Sequence, residues 1–268
     1  MKKIIHIPNP KFKTYLLEHF DKDYDGEISY EEAQTVKAIN CSRLSLFSIE
    51  GIDQFTELEF LNCSRNELTS IDLSRNTKLK ELRCDNNKLD ALDLTNNHEL
   101  TVLRCFCNEL LTLNVVNSPS LIEIRCCFNY LTALDVRNNS NLRVLDCNSN
   151  LLSILDVNNN PKLTELYCAE NYLELLDVRN NQDLLSLICY DNSLTEIIIS
   201  EKSKLEVLWC YKNRLTELHL RDSSNLRKLY CSKNRFTTLS LKGIPFQATN
   251  STEFLSNEFF TYWEVTKN

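Results

Sequence analysis

Residues 58–78 read LEFLNCSRNELTSIDLSRNTK, and residues 79–99 read LKELRCDNNKLDALDLTNNHE. Laid over one another they match at Leu58/Leu79, Leu61/Leu82, Cys63/Cys84, Asn66/Asn87 and Leu68/Leu89. The 21-residue step then runs on without a slip through Cys105, Cys126, Cys147, Cys168, Cys189, Cys210 and Cys231. Three positions after each cysteine stands an asparagine, from Asn66 to Asn234. The unit is LxxLxCxxNxLTxLDVxxNxx. A fixed period of this size marks a solenoid, in which each period is one coil stacked on the last.

The spacing implies a physical object. LxxLxC alternates with period two, so it is a short strand whose Leu and Cys point the same way. Stacking places these strands side by side in a parallel sheet. The Asn follows where the chain must turn, and its buried amide can bond backbone groups of its own and the neighbouring coil. LTxLDV turns apolar side chains inward again and closes the coil. This pattern resembles the leucine-rich repeat family and, with Cys at the sixth position and a 21-residue period, its internalin J-like class of bacterial surface proteins. The resemblance implies a leucine-rich repeat solenoid, mainly β, with a parallel concave sheet. It also implies export and contact with a host or neighbouring cell.

Cysteine is smaller than leucine and among the most buried residue types, so the ladder reads as packing by inert thiols. Strands about 4.8 Å apart fall within disulfide range, but in-register neighbours point in parallel. Zinc needs convergent ligands, and the close pairs Cys105/Cys107 and Cys126/Cys127 diverge by alternation. Cys127 alone is expected to face outward on a strand.

A second motif lies near the start. Residues 21–32 read DKDYDGEISYEE and fit the calcium-loop pattern D-x-[DN]-x-[DN]-G-x5-E. Asp21, Asp23 and Asp25 take the first three ligand positions, and Glu27 offers its carbonyl. Ser29 acts through water, and Glu32 closes the site with both oxygens. Gly26 makes the sharp turn. Residues 10–20 read as a helix with Pro10 in its first turn, and residues 31–37 as a second. The segment resembles an EF-hand. A lone hand has no partner to open against, so one structural Ca2+ is expected in a cap on the solenoid's open end. The expected organisation is an EF-hand-like helical cap over 1–40, a degenerate first repeat over 41–57, nine repeats over 58–246 and an aromatic C-terminal cap over 247–268.

The chain has 268 residues and a net charge of −7. Without a basic stripe, that argues against nucleic acid. No stretch approaches the roughly 20 apolar residues of a membrane span. Met1-Lys2-Lys3 is basic, but the apolar run Ile4-Ile5 stops at His6 and Pro8, so no signal peptide is read there. Calcium sites of extracellular modules bind at about 10⁻⁴ to 10⁻³ M, which favours a secreted or cell-surface protein; cytoplasmic is the alternative. A monomer is expected.

In such a repeat the core positions are constant and the outward ones carry information. The positions flanking each Cys carry an arginine ladder in early coils (Arg83, Arg104, Arg125). In late coils they carry Tyr167, Tyr190, Trp209, Tyr211 and Tyr230. Lys212, Lys233, Arg214 and Arg235 lie beside the late aromatics. Tyr, Trp and Arg dominate binding hot spots, although stacked aromatics also stabilise a sheet face by themselves. The cluster reads as a surface for a protein partner; a glycan, or a spacer with no ligand, are the alternatives. The aspartates of LDV read as turn caps. The four histidines are scattered, and no Cys/His pair has nucleophile geometry, so no enzyme is expected.

Overall fold

A computed structural model describes residues 2–200, 203–220 and 225–236. The expected aromatic cap over 247–268 lies outside them. The chain divides into two compact units, residues 1–131 and 132–268.

The first unit opens with a segment that holds the loop of residues 21–32. Ile5 N–H donates to Ile28 O (2.8 Å), and Tyr30 N–H donates to Lys3 O (3.0 Å), around an antiparallel bridge between Ile4 and Ser29. Helix α1, Pro10–Phe20, starts where Asn9 accepts from the N–H groups of Lys11 and Phe12. That cap satisfies donors a helix start leaves open. Phe12 and Leu16, four apart and so on one face, are wholly buried. Helix α2, Tyr30–Ala33, is one turn long, not the longer helix expected to Lys37. Its start carries a reciprocal capping box between Ser29 and Glu32. It ends early because the chain must enter β1, Ala38–Asn40, which pairs parallel with β2, Phe60–Asn62. At Gly51 φ is +97°, and an added Cβ would stand 2.9 Å from His6 O, so the first turn of the stack admits no side chain there.

Strands β3 (Glu81–Arg83), β4 (Val102–Arg104) and β5 (Glu123–Arg125) continue the unit's parallel sheet, with Leu61, Leu82, Leu103 and Ile124 in register. The second unit repeats the plan with β6 (Val144–Asp146), β7 (Glu165–Tyr167), β9 (Ser186–Ile188), β11 (Val207–Trp209) and β12 (Lys228–Tyr230). A separate pair, β8 (Leu175–Asp177) and β10 (Glu196–Ile198), forms on its other side. The chain is thus a parallel β solenoid of 21-residue turns.

Each strand is three residues long, with a buried central Leu or Ile between two outward positions. The ladder cysteine follows directly, wholly buried in every coil from Cys63 to Cys210. Asparagine then closes the turn. In one coil Asn108 Nδ2 donates to Cys84 O (3.1 Å) and Cys105 O (3.0 Å), while its Oδ1 accepts from Leu89 N–H (3.0 Å). Each such amide ties its own coil to the one before and leaves few buried backbone groups unpaired. In each unit the opposite turn carries a second row of buried polar residues: Asn76, Asn97 and Ser118 in the first, Asn139, Asn160 and Asn181 in the second. Asn160 Nδ2 bonds Val136 O and Asn139 O, both at 2.9 Å. The LDV aspartates cap turns: Asp72, Asp93, Asp135, Asp156 and Asp177 each accept the N–H two residues on.

Candidate functional site

Three places carry polar chemistry. The loop of residues 21–32 brings one oxygen each of Asp21, Asp23 and Asp25 within 4.8 Å of one another. Asp21 Oδ2 accepts Gly26 N–H (3.0 Å), Asp25 Oδ1 accepts Glu27 N–H (3.0 Å), and Asp21 Oδ1 is buried with no hydrogen-bond donor among the described residues. Convergent carboxylate oxygens around a glycine turn are the donor set a hard cation takes. A cationic group of the chain stands there. Lys2 Nζ lies 2.7 Å from Asp23, 2.8 Å from Asp25 and 3.6 Å from Glu32. Both aspartates hold the ammonium above its usual pKa. Glu32 is buried, which opposes its charge. Hydrogen bonds from the Ser29 hydroxyl and N–H and from Lys22 N–H, with the Lys2 charge, nonetheless bring it down to about 2. Ser29 and Glu32 therefore serve the helix cap, while the Glu27 side chain turns away to Lys13 (2.7 Å).

The outward strand face of the first unit is charged and internally paired. Arg83 Nε donates to Glu81 (2.6 Å) and lies over the Phe60 ring. Glu123 accepts from Arg104 and from Arg125, each at 2.8 Å. Burial opposes the Glu123 charge, but the two guanidinium groups hold its carboxyl below the usual range. These acids open β3 and β5, two residues before Arg83 and Arg125, a proximity already legible in the sequence.

The corresponding face of the second unit is aromatic. Tyr190 and Tyr211 stack with ring centres 4.5 Å apart and planes 5° apart; Trp209 meets Tyr230 edge-on at 5.3 Å. A pocket of about 490 Å³ opens there, lined by Trp209, Tyr211, Lys212, Tyr230, Ser232 and Lys233. The Trp209 indole N–H is buried and has no acceptor among the described residues. Tyr167 stands two coils before Trp209, its hydroxyl donating to Glu165 (2.8 Å). Burial, then the nearby Glu170 charge, pushes the Tyr190 phenol up to about 12. Lys212 pairs with Asp191 at 2.6 Å. Lys233, Arg214 and Arg235 are exposed and make no ion pair among the described residues. Lys212 and Lys233 sit at the turn position where φ is about +53° in each.

All twelve cysteines are thiols. Burial pushes Cys105 and Cys168 up to about 12, which removes the thiolate that nucleophiles and metal sites need. Cys127 is corrected: it is only 8 % exposed, not outward-facing. The residue after the ladder cysteine lies at the entrance to the left-handed turn, where Ser64, Asp85 and Ala169 are buried as well. Cys107 is the more accessible thiol.

A stretch of 70 residues is 35 % identical to internalin J of Listeria monocytogenes serotype 4b (strain F2365), spanning 26 % of this chain and 8 % of that protein. The functional domain of InlJ from Listeria monocytogenes, which includes a cysteine ladder, superposes with a TM-score of 0.55 at 27 % identity, covering 92 % of this chain and 71 % of that one. An internalin (inlF) of the same species, strain 4b F2365, gives a TM-score of 0.62 at 18 % identity over 98 % of this chain and 99 % of that one. The ectodomain of the Arabidopsis thaliana receptor kinase GASSHO1/SCHENGEN3, solved in complex with Casparian strip integrity factor 2, gives 0.63 at 21 % identity over 82 % of this chain and 34 % of that one. No protein-family model matches the chain.

Proposed function

Because this chain is a leucine-rich repeat solenoid of the cysteine-ladder class found in internalin J, we propose that it is a non-enzymatic module that binds a protein outside the cell. The observation that carries the reading is the second unit's strand face, where Trp209, Tyr211 and Tyr230 surround an open pocket. Rigid aromatic rings bury much area at little entropic cost and are the anchors on which interfaces depend. The first unit's arginines are spent on Glu81 and Glu123 and add little to binding. Among the described residues no helix is long and apolar enough to cross a membrane. The test is capture of a partner from surface-protein extracts. A partner held by the wild-type chain and lost when Trp209, Tyr211 and Tyr230 are all replaced by Ala supports the reading; partners held equally by both chains overturn it.

The loop of residues 21–32 is read as a site for one structural Ca2+. Asp21, Asp23 and Asp25 would hold it, with the Glu27 carbonyl, Glu32 after release from its cap, and Ser29 through water. The donor set fits the ion: hard oxygens around a glycine turn, with Asp21 Oδ1 unsatisfied among the described residues. Calcium has to displace Lys2 from Asp23 and Asp25. Titration calorimetry with CaCl2 decides: one site on the wild-type chain, lost in Asp21→Ala, supports it. No heat and no change in melting temperature on adding EDTA overturn it.

A further inference from the structure

The charges around the aromatic pocket are not those of the chain as a whole. The protein carries a net charge of −7, yet the turns after the ladder cysteines of its last two described coils carry Lys212 and Arg214, then Lys233 and Arg235, with Asp191 one coil before Lys212. That acid is engaged by Lys212 at 2.6 Å. Lys233 follows Lys212 by one coil at the same position, and Arg235 follows Arg214 in the same way; Arg235 N–H bonds Leu215 O at 2.8 Å. Like charges stacked at one-coil spacing repel. In the coils before, this turn row is acidic, with Glu170 and Asp191. Among the described residues, none of Lys233, Arg214 and Arg235 has an ion-pair partner.

A pocket of about 490 Å³ walled by Trp209, Tyr211 and Tyr230 takes one large apolar side chain, and Lys212 and Lys233 line its rim. An uncharged glycan would stack on the rings and leave three cations unmatched. A basic partner would be repelled. We infer that this pocket recognises an acidic peptide segment of its partner, in which one aromatic or large aliphatic residue enters between the rings and flanking carboxylates meet Lys233, Arg214 and Arg235. The inference rests on the reading of this face as the binding surface and names its ligand chemistry. Charge of this kind steers encounter and selects partners more than it adds affinity.

The experiment is selection from a displayed library of random peptides on the full chain and on the Lys233→Glu/Arg235→Glu variant, with sodium polygalacturonate as a parallel probe. The expected result is peptides rich in Asp and Glu around one aromatic or large aliphatic residue. The double variant should fail to retain them. Binding of a synthesised winner should weaken at least about 30-fold in Trp209→Ala and fall with added salt. The Arg214→Gln/Lys233→Gln/Arg235→Gln variant changes only exposed groups and so keeps the test open if Trp209→Ala unfolds. It should weaken binding and flatten its salt dependence. Peptides with no acidic bias, no peptide selected at all, or Trp209-dependent binding of polygalacturonate without any peptide would overturn the inference. A captured partner that needs the rings but is indifferent to the charge variants leaves the binding face standing and removes the acidic chemistry. Acidic peptides that bind the triple-alanine chain unchanged remove the face itself.

Discussion

The two units present the same strand to solvent and use it differently. In the first, Arg83, Arg104 and Arg125 look on paper like a cationic stripe, but Glu81 and Glu123 hold all three. In the second, rings replace the arginines; of the cations beside them Lys212 pairs with Asp191, while Lys233, Arg214 and Arg235 make no ion pair among the described residues. The difference teaches that an outward residue is informative only together with its neighbour two positions away on the strand and its counterpart one coil along. Charge that is internally matched stabilises the coil; charge that is unmatched beside an apolar pocket is available to a partner.

The scaffold beneath is shared, so breaking it should cost the same in either unit. Asn108→Asp and Asn171→Asp each turn an amide donor facing two carbonyls into an acceptor. Each should lower stability by about 3–5 kcal/mol, read by chemical denaturation; a large loss in one unit and none in the other would separate the two scaffolds.

The faces should then diverge. Glu123→Gln should cost about 1–2 kcal/mol, because two guanidinium groups lose one partner of low exposure. Its carboxyl is held below the usual range in the folded chain. The contribution is therefore present above the ordinary carboxylate pKa and lost as pH falls below it. Wild type should lose more stability than Glu123→Gln over that acid limb; parallel curves would contradict the pairing. At the proposed calcium site of residues 21–32, Lys2→Gln should strengthen calcium binding by about tenfold, since an ion there would no longer displace an ammonium from Asp23 and Asp25. Weaker binding would mean that Lys2 supports the loop rather than competes for it.

The smallest effect concerns the turn that both units repeat. Phe128 is exposed and left-handed, with φ +54°. Phe128→Gly should raise stability by about 0.5–1 kcal/mol, as glycine carries no Cβ penalty there. A loss would show that the ring packs in solution.

Much of this was legible beforehand. The repeat of Leu, Cys and Asn dictated strand, core and turn because each coil must satisfy the same sterics as the last. The spacing of residues 21–32 also brought Asp21, Asp23 and Asp25 together. What escaped depended on neighbours across coils. Glu81 and Glu123 were legible as acids near the arginines, but not that the single carboxylate of Glu123 holds both Arg104 and Arg125. Cys127 was placed outward by simple alternation, which stops where the strand ends and the left-handed turn begins. The asparagine at the far turn, Asn76 to Asn181, stood in the repeat unit by name but with no role, yet it is buried at each place. Nothing local to residues 21–32 announces Lys2, whose place in the loop is fixed by the bridge between Ile4 and Ser29.

The central claim is that the second unit's rings, not the first unit's arginines, contact the partner. The direct measurement is the affinity of one captured partner for two triple variants, Trp209→Ala/Tyr211→Ala/Tyr230→Ala and Arg83→Gln/Arg104→Gln/Arg125→Gln, each confirmed folded by its melting curve. The first should weaken binding at least about 30-fold and the second by less than about threefold. Binding that survives the loss of the rings and fails with the arginines would contradict the account.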